Sequence, residues 1–167
     1  MAVPNAELLA LARTLHIPVP WNRDVFIENL ASQRGRPIRL LPTDTSAFTE
    51  GPCGVWLIRD DDDVILYDAE TSDYHIDQIV CHEIGHMMLG HGLAQETGTD
   101  RTLNSDAWLK VLPDIDLATV NAVLRRTAYA SDQERDAEIF ASVLMIAAAE
   151  ANERSSVMMR SAFFGRQ

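Results

Sequence analysis

The sequence predicts an α+β fold, a small three-stranded sheet packed against helices. Three observations carry this. Two β-rich runs, Val55–Ile58 and Val64–Tyr67, flank a short polar stretch, which is the pattern of a hairpin. Pro37–Leu41, with Ile38, Leu40 and Leu41, adds a third strand. Apolar residues recur at helical spacing in Ile76, Ile79, Val80, Ile84, Met87 and Met88, and again in Ala137, Phe140, Ala141, Leu144 and Ala148.

Along the chain, Ala6–Leu15 reads as a short helix ended by His16-Ile17-Pro18-Val19-Pro20. Asn22 or Asp24 starts a second, which carries Val25, Phe26 and Leu30 to about Gly35. The first strand follows and is closed by Pro42. Residues 43–54 are polar and small, hence a loop. The hairpin strands are separated by Arg59 and the run Asp60–Asp63, read as a solvated turn because spaced calcium ligands with a glycine and a distal Glu are missing. Thr71, Ser72 and Asp73 offer caps for a helix of about 17 residues, stopped by Gly90 and Gly92. Residues 92–105 read as a loop, 107–112 as a short helix and Asp116–Arg126 as another. Ser131 or Asp132 caps a last helix to about Glu150. The 167 residues favour one domain: N-terminal helices over 1–36, a core over 37–152, and a loosely held tail over 153–167.

Composition removes several function classes. Net charge is −11, which is the wrong sign for direct nucleic-acid binding. No apolar run approaches the length of a membrane span. The first residues lack a basic region followed by an apolar run, so no signal peptide is expected and the cytoplasm is the default. Of the two cysteines, Cys53 lies in a turn-like stretch and Cys81 on the helix beside His82; free thiols are expected.

The chemistry concentrates in Cys81-His82-Glu83-Ile84-Gly85-His86-Met87-Met88-Leu89-Gly90-His91. Its H-E-x-x-H places His82 and His86 one turn apart on one helix face, where two imidazoles can hold one cation. Glu83 points about 100° around the helix, beside the metal, which suits a base for an activated water. Gly85 inside the helix costs about 1 kcal/mol relative to Ala; close approach of another segment, one bringing a further ligand, is a reason for it.

Catalytic zinc takes three protein ligands and keeps one position open. His91, Glu134 and Asp136 are the candidates. If the helix persists, His91 lies about 140° from His86 and cannot join it as a ligand; a place beside a ligand histidine, or at the helix C-terminus as a capping residue, stays open to it. The spacing H-E-x-x-H-x-x-G-x-x-H fails too, since Leu89 and Gly92 stand at its last two named positions. Asp136 points more than about 100° from the centre of the apolar stripe on the last helix. Glu134 falls on that stripe and Glu138 flanks it. Taken alone, Glu134 is either a ligand or a first-turn acid facing the helix dipole; the incomplete histidine pair favours ligation.

H-E-I-G-H-M-M-L-G-H followed by Glu134-Arg-Asp-Ala137-Glu-Ile-Phe140-Ala141-Ser-Val-Leu-Met resembles the ImmA/IrrE family of gluzincin-type metallopeptidases, over about residues 37–147. That resemblance implies a zincin-like fold and zinc held by His82, His86 and Glu134, with Glu83 as catalytic base. It implies Glu138 as the partner of a zinc histidine. It also implies a protein substrate, a DNA-binding regulator. Two departures stand out: Asp136 replaces a glutamate of the family motif, and Ile146 stands where the family often has proline. Tyr129 and His91 are the candidate donors to an oxyanion. Val55–Ile58 is a candidate edge strand for an extended substrate, with Trp56 in the core or lining a pocket. Two rival functions are a zinc-stabilised module that sequesters a regulator without cutting it, and one half of a toxin–antitoxin or phage regulatory pair.

Overall fold

The computed structural model describes residues 2–43, 54–91 and 131–164. Over these residues the protein is α+β, with helices α1 (Asn5–Ala12), α2 (Arg23–Arg34), α3 (Asp73–Met88) and α4 (Ser131–Phe164), and strands β1 (Ile38–Thr43), β2 (Gly54–Ile58) and β3 (Asp63–Asp68). The cysteine-bearing turn at Cys53 and the two helices expected over 107–126 lie outside the described residues.

The sheet is mixed, in the order β1-β3-β2. β3 is central, parallel to β1 from Ile38↔Asp63 to Thr43↔Asp68 and antiparallel to β2 from Gly54↔Tyr67 to Ile58↔Asp63. Its Val64, Ile65 and Leu66 are all buried, as a strand covered on both faces requires. β1 passes through Pro42 to Thr43 instead of stopping there. As an edge strand it tolerates a residue without an N–H.

α2 starts on Asn22, whose side chain accepts from the Val25 N–H at 3.0 Å. It buries Phe26, Ile27 and Leu30. Trp21 Nε1 and Arg23 Nε both donate to Asp77 of α3, at 2.8 and 2.6 Å, and fasten the two helices together. α3 is capped by Ser72, which accepts from the His75 N–H. It packs against β2, β3 and α4, so its buried residues, from Ile76 to Met87, lie on more than one side. Ile84, Phe140, Leu144, Val80, Phe26, Leu30 and Ile65 form the core where these elements meet.

Two expectations need correction. The aspartate run is not a wholly solvated turn. Asp60 and Asp61 are exposed, but Asp62 and Asp63 are buried. Asp63 accepts from Arg34 at 2.6 Å and Arg36 at 3.2 Å. Asp62 accepts from Arg59 at 2.5 Å and Arg39 at 2.7 Å. Arg36 also reaches the carbonyls of Arg59, Asp60 and Asp62. Four arginines scattered over residues 34–59 thus meet two carboxylates, which linear charge patterning does not reveal. The last helix, in turn, does not end near Glu150. It continues to Phe164, through most of the expected tail, because no Gly or Pro interrupts residues 131–164.

Candidate metal centre

His82 and His86 occupy adjacent turns of α3, and Glu134 stands in the first turn of α4. One ligand atom from each lies within 4.8 Å of the others. The separations are 3.0 Å between the two Nε2 atoms, 3.4 Å from His82 Nε2 to Glu134 Oε2, and 3.6 Å from His86 Nε2 to Glu134 Oε1. Tetrahedral zinc with ligands about 2.0–2.1 Å away sets its donors about 3.3 Å apart. The donor types and their spacing therefore fit zinc, and these three residues would hold it.

Gly85 is what lets the two helices meet. A Cβ there would lie 3.0 Å from both the Cα and the carbonyl oxygen of Ala137, closer than packed carbon atoms approach. Ala137 is on α4, three residues after Glu134. The interior glycine thus sits at the contact that carries the third donor to the histidines.

The centre has a wet side and a dry side. The side chains of Glu134 and Glu138 are 47% and 57% exposed, whereas that of His86 is 1% exposed. Three protein donors leave a fourth position of a tetrahedral ion to other groups. Glu138 Oε2 lies 3.4 Å from His82 Nδ1. On the dry side, His91 Nδ1 lies 2.9 Å from His86 Nδ1. The sequence leaves His91 a place beside a ligand histidine, and it lies against His86. α3 ends at Met88, just before the expected stop, and Gly90 at φ 69° turns the chain back.

Glu83 is not among the three donors. Burial pushes its carboxyl up to about 7, against the opposing pull of His82 and a hydrogen bond from the Trp56 backbone. Its Oε1 lies 3.1 Å from where a Cβ on Gly54 would be, so the first residue of β2 leaves room for the carboxylate. Trp56 itself is buried in the core.

The electrostatics separate the two histidines. Burial lowers the pKa of His82, but its hydrogen bond to Glu134 and the charges of Glu83, Glu134 and Glu138 outweigh this and raise it. His86 is pushed down to about 3, by burial and then by the His82 charge, so its ring is neutral and ready to ligate. The same hydrogen bond to His82 holds Glu134 below the usual carboxylate range. Burial lowers His91 as well.

Asp136 lies outside the donor group yet is buried, and its Oδ2 accepts from the Val3 N–H at 2.7 Å. The segment leading into α1 covers it, a tertiary contact with no local signal. Tyr129 lies outside the described residues. Cys81 is buried and free, its thiol pushed up to about 12 by burial, which makes it a poor nucleophile. No described helix is long and apolar enough to cross a membrane. No protein-family model, curated protein or solved structure matches the chain.

Proposed function

We propose that the protein is a zinc-dependent endopeptidase with a zincin-like centre. The observation that carries the reading is the convergence of His82, His86 and Glu134 on one point, open on one side and flanked by the buried Glu83. Held by these three residues, zinc would supply Lewis acidity and would lower the pKa of water towards 7. Glu83 takes the proton from the attacking water and delivers it to the leaving amine. A carboxyl group poised near 7 can do both, and a nearby cation draws it towards the ionised form that accepts first. The substrate is a protein. The likeness of both motifs to the ImmA/IrrE family supports a DNA-binding regulator as its class.

β2 is an outer strand of the sheet among the described residues, which bears on how substrate would bind. Glu83 already uses backbone hydrogen bonding at Trp56, so an extended peptide pairing with β2 must do so around that point. The rival reading, sequestration without cleavage, makes the opposite prediction for Glu83. Purified protein is incubated with candidate DNA-binding regulators from the same organism and with a quenched-fluorescence peptide library, with and without chelator. The endopeptidase reading expects cleavage that chelator abolishes and that Glu83→Gln reduces about 10²–10⁴-fold with zinc still bound. Intact substrates throughout, or equal cleavage by Glu83→Gln, would contradict it.

A further inference from the structure

His86 is enclosed and faces an imidazole at each ring nitrogen. Its Nε2 is 3.0 Å from His82 Nε2 and its Nδ1 is 2.9 Å from His91 Nδ1. His91 is itself buried. Two ring nitrogens at such a distance share one proton, because paired lone pairs or paired N–H groups would repel. Which ring carries that proton is decided at the other end of His86. Ligation uses the Nε2 lone pair, so a neutral His86 has its proton on Nδ1, pointing at His91.

We infer that His91 is the positioning residue of the metal centre: its bare Nδ1 accepts the His86 Nδ1–H, which fixes the tautomer of His86 and aims Nε2 at the cation. His91 then keeps its own proton on Nε2. This deepens the proposed metal reading and rests on it. The turn at Gly90 is the backbone device that delivers the acceptor.

The choice of acceptor follows from burial. His82, on the wet side, has the carboxylate of Glu138 at its Nδ1, where water shields the charge. On the dry side the buried carboxylate of Asp136 already acts on His91, and a second buried anion there would be costly without a cation of its own. A neutral imidazole orients His86 without adding charge. The two ligand histidines are thus held by chemically different partners, each suited to its surroundings.

The experiment compares the full-length wild type with His91→Phe, which keeps a ring but removes the acceptor, and His91→Asn, whose amide oxygen can restore it. Zinc affinity is measured by chelator competition and the ligand field from the visible spectrum of the cobalt-loaded protein. Ring protonation is read from ¹⁵N spectra of the zinc-loaded histidines. The inference expects a protonated Nδ1 on His86 and an unprotonated Nδ1 on His91. It expects His91→Phe to lose about 10–100-fold in zinc affinity with a changed cobalt spectrum, and His91→Asn to recover most of that loss. If His91→Phe does not fold, the wild-type ¹⁵N spectrum decides alone. Zinc affinity independent of residue 91, or an unprotonated His86 Nδ1, would overturn the inference and leave the metal reading standing. A wild type that takes up no zinc would overturn both.

Discussion

Glu83 is a carboxyl group almost wholly withdrawn from water, and that fixes how its charge couples to folding. Its pKa rises from 4.5 to about 7. Between those values the folded protein keeps a proton that the unfolded chain has released, so this contribution to stability falls as pH rises. At about 1.4 kcal/mol per pKa unit the full loss is about 3 kcal/mol. His86 acts in the opposite sense. Held neutral down to about 3, it adds stability that is present above the unfolded histidine pKa and is lost as pH falls. The separable quantity is therefore a difference between two proteins. In urea unfolding of the metal-free forms, Glu83→Gln gains about 3 kcal/mol on the wild type between pH 4.5 and 7. A difference that stays constant with pH would show that Glu83 ionises freely. The residues that sequence reasoning reached at this scale are those whose relation is local: His82, Glu83 and His86 are placed by helix period alone. His91 was legible as a neighbour of the site and Gly90 as the helix stop, but not the contact of His91 Nδ1 with His86 Nδ1, because the path of the chain past Gly90 follows no period.

At the scale of elements, the central contact is α3 against α4 at Gly85. Replacing a mid-helix glycine with alanine normally gains about 1 kcal/mol of helix propensity. Here the new methyl meets the backbone of Ala137, which cannot rotate away, and such overpacking costs about 1–3 kcal/mol. Gly85→Ala is expected to be less stable than wild type by calorimetry. It is also expected to bind zinc about tenfold more weakly, since the third donor moves with α4. A more stable variant would mean that the helices have slack at this contact. The ion-pair cluster gives a second test. Asp63→Ala leaves Arg34 and Arg36 without their shared carboxylate and is expected to cost about 3 kcal/mol, the lower end for a broken buried pair because both arginines can rehydrate. Asp61→Ala, at an exposed site, is expected to stay within about 0.5 kcal/mol of wild type. Equal urea midpoints for the two variants would contradict the assignment. Nothing in a run of four aspartates tells the buried pair from the exposed pair. That depends on where α2 and β1 deliver their arginines.

At the scale of the whole molecule, the sheet and helices serve to bring two distant segments to one point. The strands were legible because short apolar runs rich in β-branched residues are local signals. β1 was read two residues short because Pro42 was taken as a terminator, whereas only a central strand would have excluded it. The end of α4 was misplaced for the opposite reason: its apolar pattern fades after Ala151 although its helix propensity does not. Glu134 was reached by combining a pattern with a deficit, a carboxylate on an apolar stripe and a histidine pair lacking a third donor. Asp136, one residue beyond Arg135, was beyond such reasoning, because its burial depends on an N-terminal segment more than a hundred residues away in sequence. If the three donors act together, zinc stabilises the folded chain by mass action, about 2.7 kcal/mol at a free concentration of 100 times Kd.

The most direct measurement is a zinc titration of the metal-free protein, followed by competition with a chromophoric chelator, for wild type, His86→Ala and Glu134→Ala. The expected result is one equivalent of tightly bound zinc in the wild type and loss of that tight site in both variants while they remain folded. Wild-type protein that binds no zinc, or a Glu134→Ala variant that binds it as tightly as wild type, would contradict the convergence of α3 and α4 on a single cation.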